Sequence, residues 1–149
     1  MYKRLIPSQH FRLANWRPSR HNIIFTLFFT LLSCDSFAEW TRVGRTSEAT
    51  IFFDQETIRR SGQLVKMWTL TNFTISERIE GKQYQSAKTQ FEYDCREERS
   101  RVLAATFYSL LNGAGVVTAS ESNIEPWYPI APKTIAVKLW KYACGKPIQ

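Results

Sequence analysis

Within the segment 84–95, residues 88–95 alternate one by one between charged or amide side chains and β-branched, aromatic or cysteine side chains. Strict alternation is typical of a β-strand, because successive side chains of a strand point to opposite faces of the sheet. The sequence therefore predicts an antiparallel sheet with one face packed on a core and one face in water. The predicted inner face carries Thr89, Phe91, Tyr93 and Cys95, and the predicted solvent face carries Lys88, Gln90, Glu92 and Asp94.

Short runs of β-branched and aromatic residues on both sides of this segment predict further strands, and turn-forming residues separate the runs. Residues 75–82 are polar and include a glycine, which predicts a loop. Residues 120–132 contain three prolines and predict an irregular connection. The predicted strands cover residues 40–43, 50–53, 57–60, 64–73, 84–95, 101–110 and 116–119.

After Pro132 the hydrophobic pattern changes to the period of an α-helix. Thr134 is the predicted N-cap and Gly145 the predicted stop. The chain thus predicts an α+β fold, in which an antiparallel sheet of about six strands is followed by a C-terminal helix. The predicted buried face of this helix carries Ile135, Ala136, Leu139, Trp140 and Ala143, with Lys138 and Lys141 facing outward.

The N-terminal part of the chain has the pattern of an export signal. An apolar run at residues 23–32 follows a basic stretch and ends near Ser36-Phe37-Ala38, a small-x-small cleavage pattern. We predict a signal peptide at 1–38 and a mature domain at 39–149. The alternative is lipidation at Cys34, because Leu31-Leu32-Ser33-Cys34 resembles a lipobox. The apolar run is too short to span a bilayer, so no transmembrane segment is expected once the leader is removed.

Removal of the leader takes both histidines, His10 and His21, with it. The mature domain then has no imidazole for acid–base work or metal binding. Glu97 and Glu98 lie beside arginines on a predicted turn, which indicates a solvated charged loop. We therefore predict that the protein is not an enzyme and has no catalytic, cofactor-binding or metal-binding residue.

The charge of the mature domain does not indicate a nucleic-acid partner. The whole chain has 20 basic and 13 acidic residues, of which five basic and one acidic residue lie in the leader. The remaining 15 basic and 12 acidic residues give the mature domain a net charge of +3. It lacks the dense basic stripe that is typical of nucleic-acid binding.

Two cysteines, Cys95 and Cys144, remain in the mature domain. An even number in an exported protein predicts one disulfide, and this bond would fasten the helix to the inner face of the sheet. Two buried free thiols are the alternative.

Aromatic side chains are frequent along the chain. Trp68, Tyr93 and Trp140 lie in patterned segments and are expected in the core. Trp127 and Tyr128 lie in the proline-containing connection, where surface contacts are common, and form the candidate contact loop.

Three spaced motifs occur in order along the domain: Trp40-x-x-Val43-Gly44, Glu92-Tyr93-Asp94-Cys95 and Leu139-Trp140-Lys141-x-x-Cys144. By these motifs the chain resembles the bacterial surface-adhesin protein E family. The resemblance implies a sheet tied to a C-terminal helix by a Cys95–Cys144 bond. It also implies an adhesin that contacts extracellular-matrix or serum proteins and can form a homodimer.

The resemblance places the protein in the periplasm, the outer membrane or the cell surface of a Gram-negative bacterium. The alternative function is a periplasmic structural or accessory protein of the envelope, without an extracellular ligand.

Overall fold

The computed structural model describes residues 39–147, so the predicted leader 1–38 and Cys34 lie outside the described residues. The described chain forms one antiparallel sheet and one α-helix. No helix in this part of the chain has the length and apolar character needed to cross a membrane. The elements are β1 (Trp40–Arg45), β2 (Ala49–Asp54), β3 (Arg59–Ser61), β4 (Leu64–Ile79), β5 (Lys82–Asp94), β6 (Arg99–Tyr108), β7 (Val117–Glu121), β8 (Tyr128–Pro129) and α1 (Ile135–Cys144).

Six strands pair in the order β1-β2-β4-β5-β6-β7, and the short strands β3 and β8 pair with β4 and β6. Every pairing is antiparallel. This architecture confirms the predicted α+β class, with about six main strands followed by a C-terminal helix.

The predicted loop at residues 75–82 is wrong, because β4 continues to Ile79 and β5 begins at Lys82. Only Glu80 and Gly81 turn the chain, both with positive φ. The last pair between β2 and β4 is Ala49 with Phe73, so the end of this hairpin extends beyond its neighbour strand. Most of its polar side chains lie in water, and the pairing of β4 with β5 is irregular between Asn72 and Glu77 before it resumes toward the turn.

Helix α1 packs on the inner face of the sheet. Leu139, Trp140 and Ala143 are buried against a cluster that includes Met67 and Tyr93. These contacts confirm that Tyr93 and Trp140 belong to the core, whereas Trp68 is half-buried on the opposite face.

Helix α1 ends where the sequence predicted but differs from the prediction in two respects. Gly145 ends the helix with φ 65°, as predicted, and its N–H donates to carbonyls of the last turn. Thr134 stands at the N-cap position, but its hydroxyl donates to the Ala131 carbonyl and caps no helical N–H. Ala136 is exposed rather than buried, so the buried face of the helix is narrower than predicted.

A disulfide joins Cys95, just after β5, to Cys144 in the last turn of α1, with the two Cα atoms 5.6 Å apart. The indole N–H of Trp140 donates to the Asp94 carbonyl at 3.3 Å, directly beside this bond. The helix is thus fastened to the end of β5 covalently and by a buried hydrogen bond, as the sequence predicted for the disulfide.

Candidate binding surface

The irregular connection between β7 and α1 is held along the first half of β6. We call residues 122–134 the proline loop. The Glu125 N–H donates to the Val102 carbonyl at 2.9 Å, and the Ile130 N–H donates to the Glu98 carbonyl at 3.0 Å. Between these bonds β8 pairs with β6. The predicted irregular stretch 120–132 therefore begins only after Glu121 and contains a short strand.

Trp127 lies over two arginines of β6. Its ring centre is 4.9 Å from the guanidinium carbon of Arg99 and 4.4 Å from that of Arg101. Stacking of a guanidinium on an indole ring is favourable, because the ring face is electron-rich. Trp127 is half-buried by this contact. We call these three residues the arginine clamp.

The two arginines are held in turn by carboxylates of β5. Glu92 accepts two hydrogen bonds from Arg101, at 2.8 and 2.6 Å, and Asp94 accepts two from Arg99, at 3.1 and 3.0 Å. Glu92 is 5% exposed and Asp94 is 6% exposed. The prediction that Glu92 and Asp94 face solvent is therefore wrong at this end of β5. The clamp covers the two carboxylates and pairs them, which removes the cost of burying a charge alone.

Asp94 also closes the turn after β5. Its second carboxylate oxygen accepts the backbone N–H groups of Arg96 and Glu97, both at 3.1 Å. Burial raises the pKa of the Asp94 carboxyl. These N–H bonds and the Arg99 guanidinium lower the pKa by more than burial raises it, so it lies below its ordinary value. Asp94 therefore favours its charged form in the folded protein.

We expect Asp94 to make the stability of the protein dependent on acid pH. Its pKa is lower when folded than when unfolded, where it is about 3.9. The charged carboxylate therefore stabilises the fold above that value, and the contribution is lost as the pH falls through the folded pKa. Urea unfolding at several pH values should show a steeper loss of stability below about pH 4 in the wild type than in Asp94→Asn. Parallel curves for the two proteins would contradict this role.

The structure separates the two residues of the candidate contact loop. Trp127 turns inward onto Arg99 and Arg101, whereas Tyr128, its neighbour, is 55% exposed. Neighbouring residues of an extended chain point to opposite sides, which accounts for the difference. The exposed tyrosine thus lies on a loop whose backbone and adjacent side chain are both held in place.

Sequence reasoning missed the arginine clamp. The available signal was the spacing of Arg99 and Arg101 on the strand after the turn, which places them opposite Asp94 and Glu92 in an antiparallel register. Within residues 39–147, no group of three or more His, Cys, Asp or Glu side chains is arranged to hold a metal ion. This surface presents aromatic and charged side chains, among them the exposed Tyr128.

The sequence profile of the surface-adhesin protein E family matches residues 40–145. The chain belongs to this family. The match spans every strand of the described sheet and helix α1. The arginine clamp and the proline loop are therefore parts of a domain of the surface-adhesin type.

Solved structures of protein E from Haemophilus influenzae have the same fold. One crystal form superposes with a TM-score of 0.60 at 15% sequence identity and covers 74% of this chain and 91% of its own. Another structure has a TM-score of 0.58 at 17% sequence identity and covers 74% of this chain and 87% of its own. Protein E from the non-typeable bacterium has a TM-score of 0.54 at 17% sequence identity and covers 75% of this chain and 79% of its own. No significant match is found among curated proteins.

Proposed function

We propose that the protein is an exported, non-enzymatic binding module that acts as a surface adhesin and contacts extracellular or host macromolecules. The observation that carries this proposal is Tyr128, an exposed aromatic side chain on a braced loop of a surface-adhesin protein E domain. Interfaces favour tyrosine, tryptophan and arginine, and the proline loop and β6 bring all three types together.

A rigid loop reduces the entropy that is lost on binding. Two backbone hydrogen bonds, a strand pairing and the stacked Trp127 hold the proline loop in one conformation before a partner arrives. Less ordering is then required at contact, and more of the interaction energy is available as affinity. This arrangement supports a binding role for the loop.

We take the leader from the sequence pattern, and the partner class and the homodimer from the likeness to the family. The leader 1–38 directs export and is removed after Ala38, leaving the domain 39–149, with lipidation at Cys34 as the alternative. The partner is a protein of the extracellular matrix or of serum, and the domain can also form a homodimer. In this proposal the protein acts at the cell surface or outer membrane.

A second function is favoured by one observation. Ser36-Phe37-Ala38 is the cleavage pattern of an ordinary signal peptide, which would release the domain into the periplasm without an anchor. The protein would then be a structural or accessory component of the envelope, with no extracellular ligand.

Accessibility on intact cells separates the two functions. We expect externally added protease, or an antibody against the folded domain, to reach the protein on intact cells of its native bacterium. A known periplasmic protein in the same cells serves as the control and should be reached only after the outer membrane is opened. If the domain is reached only together with that control, the adhesin proposal fails and the periplasmic function takes its place.

The contribution of the proline loop is tested by binding. We expect Tyr128→Ala to weaken the affinity of the purified protein for an immobilised extracellular-matrix preparation by about tenfold, as for an interface anchor. Ile75→Ala is the matched control, because it also removes an exposed large apolar side chain but lies on the β4–β5 hairpin. Equal losses in both variants would exclude the proline loop as the contact surface.

A further inference from the structure

A cleft of about 250 Å³ lies between the proline loop and helix α1. Its volume is close to that of one large side chain, and smaller than the pockets that bind drug-sized molecules. Apolar side chains from both elements line it, and charged side chains stand among them. The lining includes Ile130, Val137 and Trp140, together with Lys133, Lys141 and Glu98.

The walls of this cleft are fixed in place. Val137, Trp140 and Lys141 lie on one side of α1, because residues three and four apart on a helix share a face. The Trp140 indole is hydrogen-bonded to the Asp94 carbonyl, and the disulfide at Cys144 fastens the same end of the helix. Opposite the helix, Ile130 is bonded to the Glu98 carbonyl. The cleft is therefore preformed, which lowers the cost of binding.

Two residues of the lining have an uncommon backbone conformation. Glu98 has φ 50° and Lys133 has φ 62°, and only two other non-glycine residues of the described chain have positive φ. Such conformations are costly for residues with a side chain, and they concentrate at ligand sites and tight turns. Both residues line the same cleft, Glu98 from the turn after β5 and Lys133 from the proline loop.

The chemistry of the lining defines the ligand. Ile130, Val137 and Trp140 offer an apolar contact of one side chain in size. The lining has two positive charges, on Lys133 and Lys141, and one negative charge, on Glu98. Its net charge is therefore +1. An anionic group beside an apolar group is complementary to this arrangement.

We propose that this loop–helix cleft binds a protein segment that presents one large apolar side chain next to a carboxylate. The inference rests on the proposed binding function and names the chemistry of its ligand. The apolar side chain fills the cleft against Val137 and Trp140, and the carboxylate lies beside Lys141 and Lys133. The cleft borders the loop that carries Tyr128, so one partner can contact both.

The test is an NMR titration of the ¹⁵N-labelled purified protein with N-acetyl-phenylalanine. We expect chemical-shift changes confined to the amides of residues 130–141, to Glu98 and to the Trp140 indole N–H, with a Kd on the order of 1 mM for so small a probe. Two probes each lack one feature: N-acetyl-phenylalaninamide has no carboxylate and N-acetyl-glycine has no large apolar group. Both should bind at least about threefold more weakly.

A matched pair of variants assigns the carboxylate contact. Lys141→Gln should weaken the binding of N-acetyl-phenylalanine about threefold, because one partly exposed ion pair contributes a free energy of that size. Lys138→Gln, which removes the same charge from the exposed side of the same helix, should leave the affinity unchanged. Shift changes outside the cleft, equal binding of the amide probe, or equal losses in the two variants would overturn the proposal.

This result is independent of the cell-accessibility experiment. If the probe binds in the cleft but the domain is inaccessible on intact cells, the cleft is a real site and the adhesin function fails. If the domain is accessible but the probe causes no shift changes in the cleft, the adhesin function stands and the cleft proposal falls.

Discussion

Removing the Cys95–Cys144 disulfide is expected to lower the free energy of unfolding by about 4 kcal/mol. The bond closes a loop of 49 residues and restricts the unfolded chain far more than the folded one. Helix α1 has only 10 residues, too few to be stable alone, so its packing depends on remaining attached to the sheet. For a domain of this size, 4 kcal/mol is a large share of the total stability.

Urea unfolding of the Cys95→Ala/Cys144→Ala double variant, followed by tryptophan fluorescence, measures the loss. At an m-value of about 2 kcal/mol per molar urea, the midpoint should fall by about 2 M. The wild type unfolded in the presence of a thiol reductant is the control and should approach the midpoint of the double variant. A midpoint unchanged by both treatments would show that packing of α1 alone holds the fold.

The sequence was sufficient to predict the inner face of the sheet. Tyr93 and Phe91 alternate with polar residues along β5, and the structure places them toward α1, as the period of two requires. The helix was predictable from its change of period, and Gly145 from its position after the last apolar residue. These are local signals, each carried by a few neighbouring residues, and tertiary contacts reinforce them.

The outer face was not predictable in the same way. Polar alternation at Glu92 and Asp94 indicates water on that face, but Arg101 and Arg99 pair with these carboxylates. Trp127, which is distant in sequence, stacks on both arginines. The cover depends on where the proline loop returns along β6, and no periodic pattern encodes that path. The extension of β4 through residues 75–79 was missed for a related reason, since a strand with both faces in water has no hydrophobic alternation to detect.

The candidate surface was only partly predictable. The prolines around Trp127 and Tyr128 indicate a loop, but which ring faces solvent depends on the pairing of β8 with β6. The loop–helix cleft left no sequence signal, because its lining comes from residues on the turn after β5, the proline loop and α1. Sites formed between elements require the packing of those elements to be known first.

Arg101→Met is expected to destabilise the protein by about 2–3 kcal/mol. The variant keeps an unbranched apolar side chain but leaves the buried Glu92 carboxylate without its two charged hydrogen bonds. Breaking a fully buried pair costs about 3–5 kcal/mol, and the 27% exposure of the Arg101 side chain reduces that cost through solvent screening. Stacking on Trp127 is lost as well. Urea unfolding at neutral pH measures the change.

A double-mutant cycle identifies the cause of this loss. Adding Glu92→Leu to Arg101→Met removes the unpaired charge and should recover most of the lost stability, because an apolar pair of similar size can replace a buried ion pair. Arg96→Met is the matched control, since its ion pair with Glu97 is exposed at 73% and 57%, and it should cost no more than about 0.5 kcal/mol. If the double variant is as unstable as Arg101→Met alone, the loss comes from the contact between Arg101 and Trp127. The clamp would then stabilise the fold by holding the proline loop, and the pairing of Glu92 would contribute little.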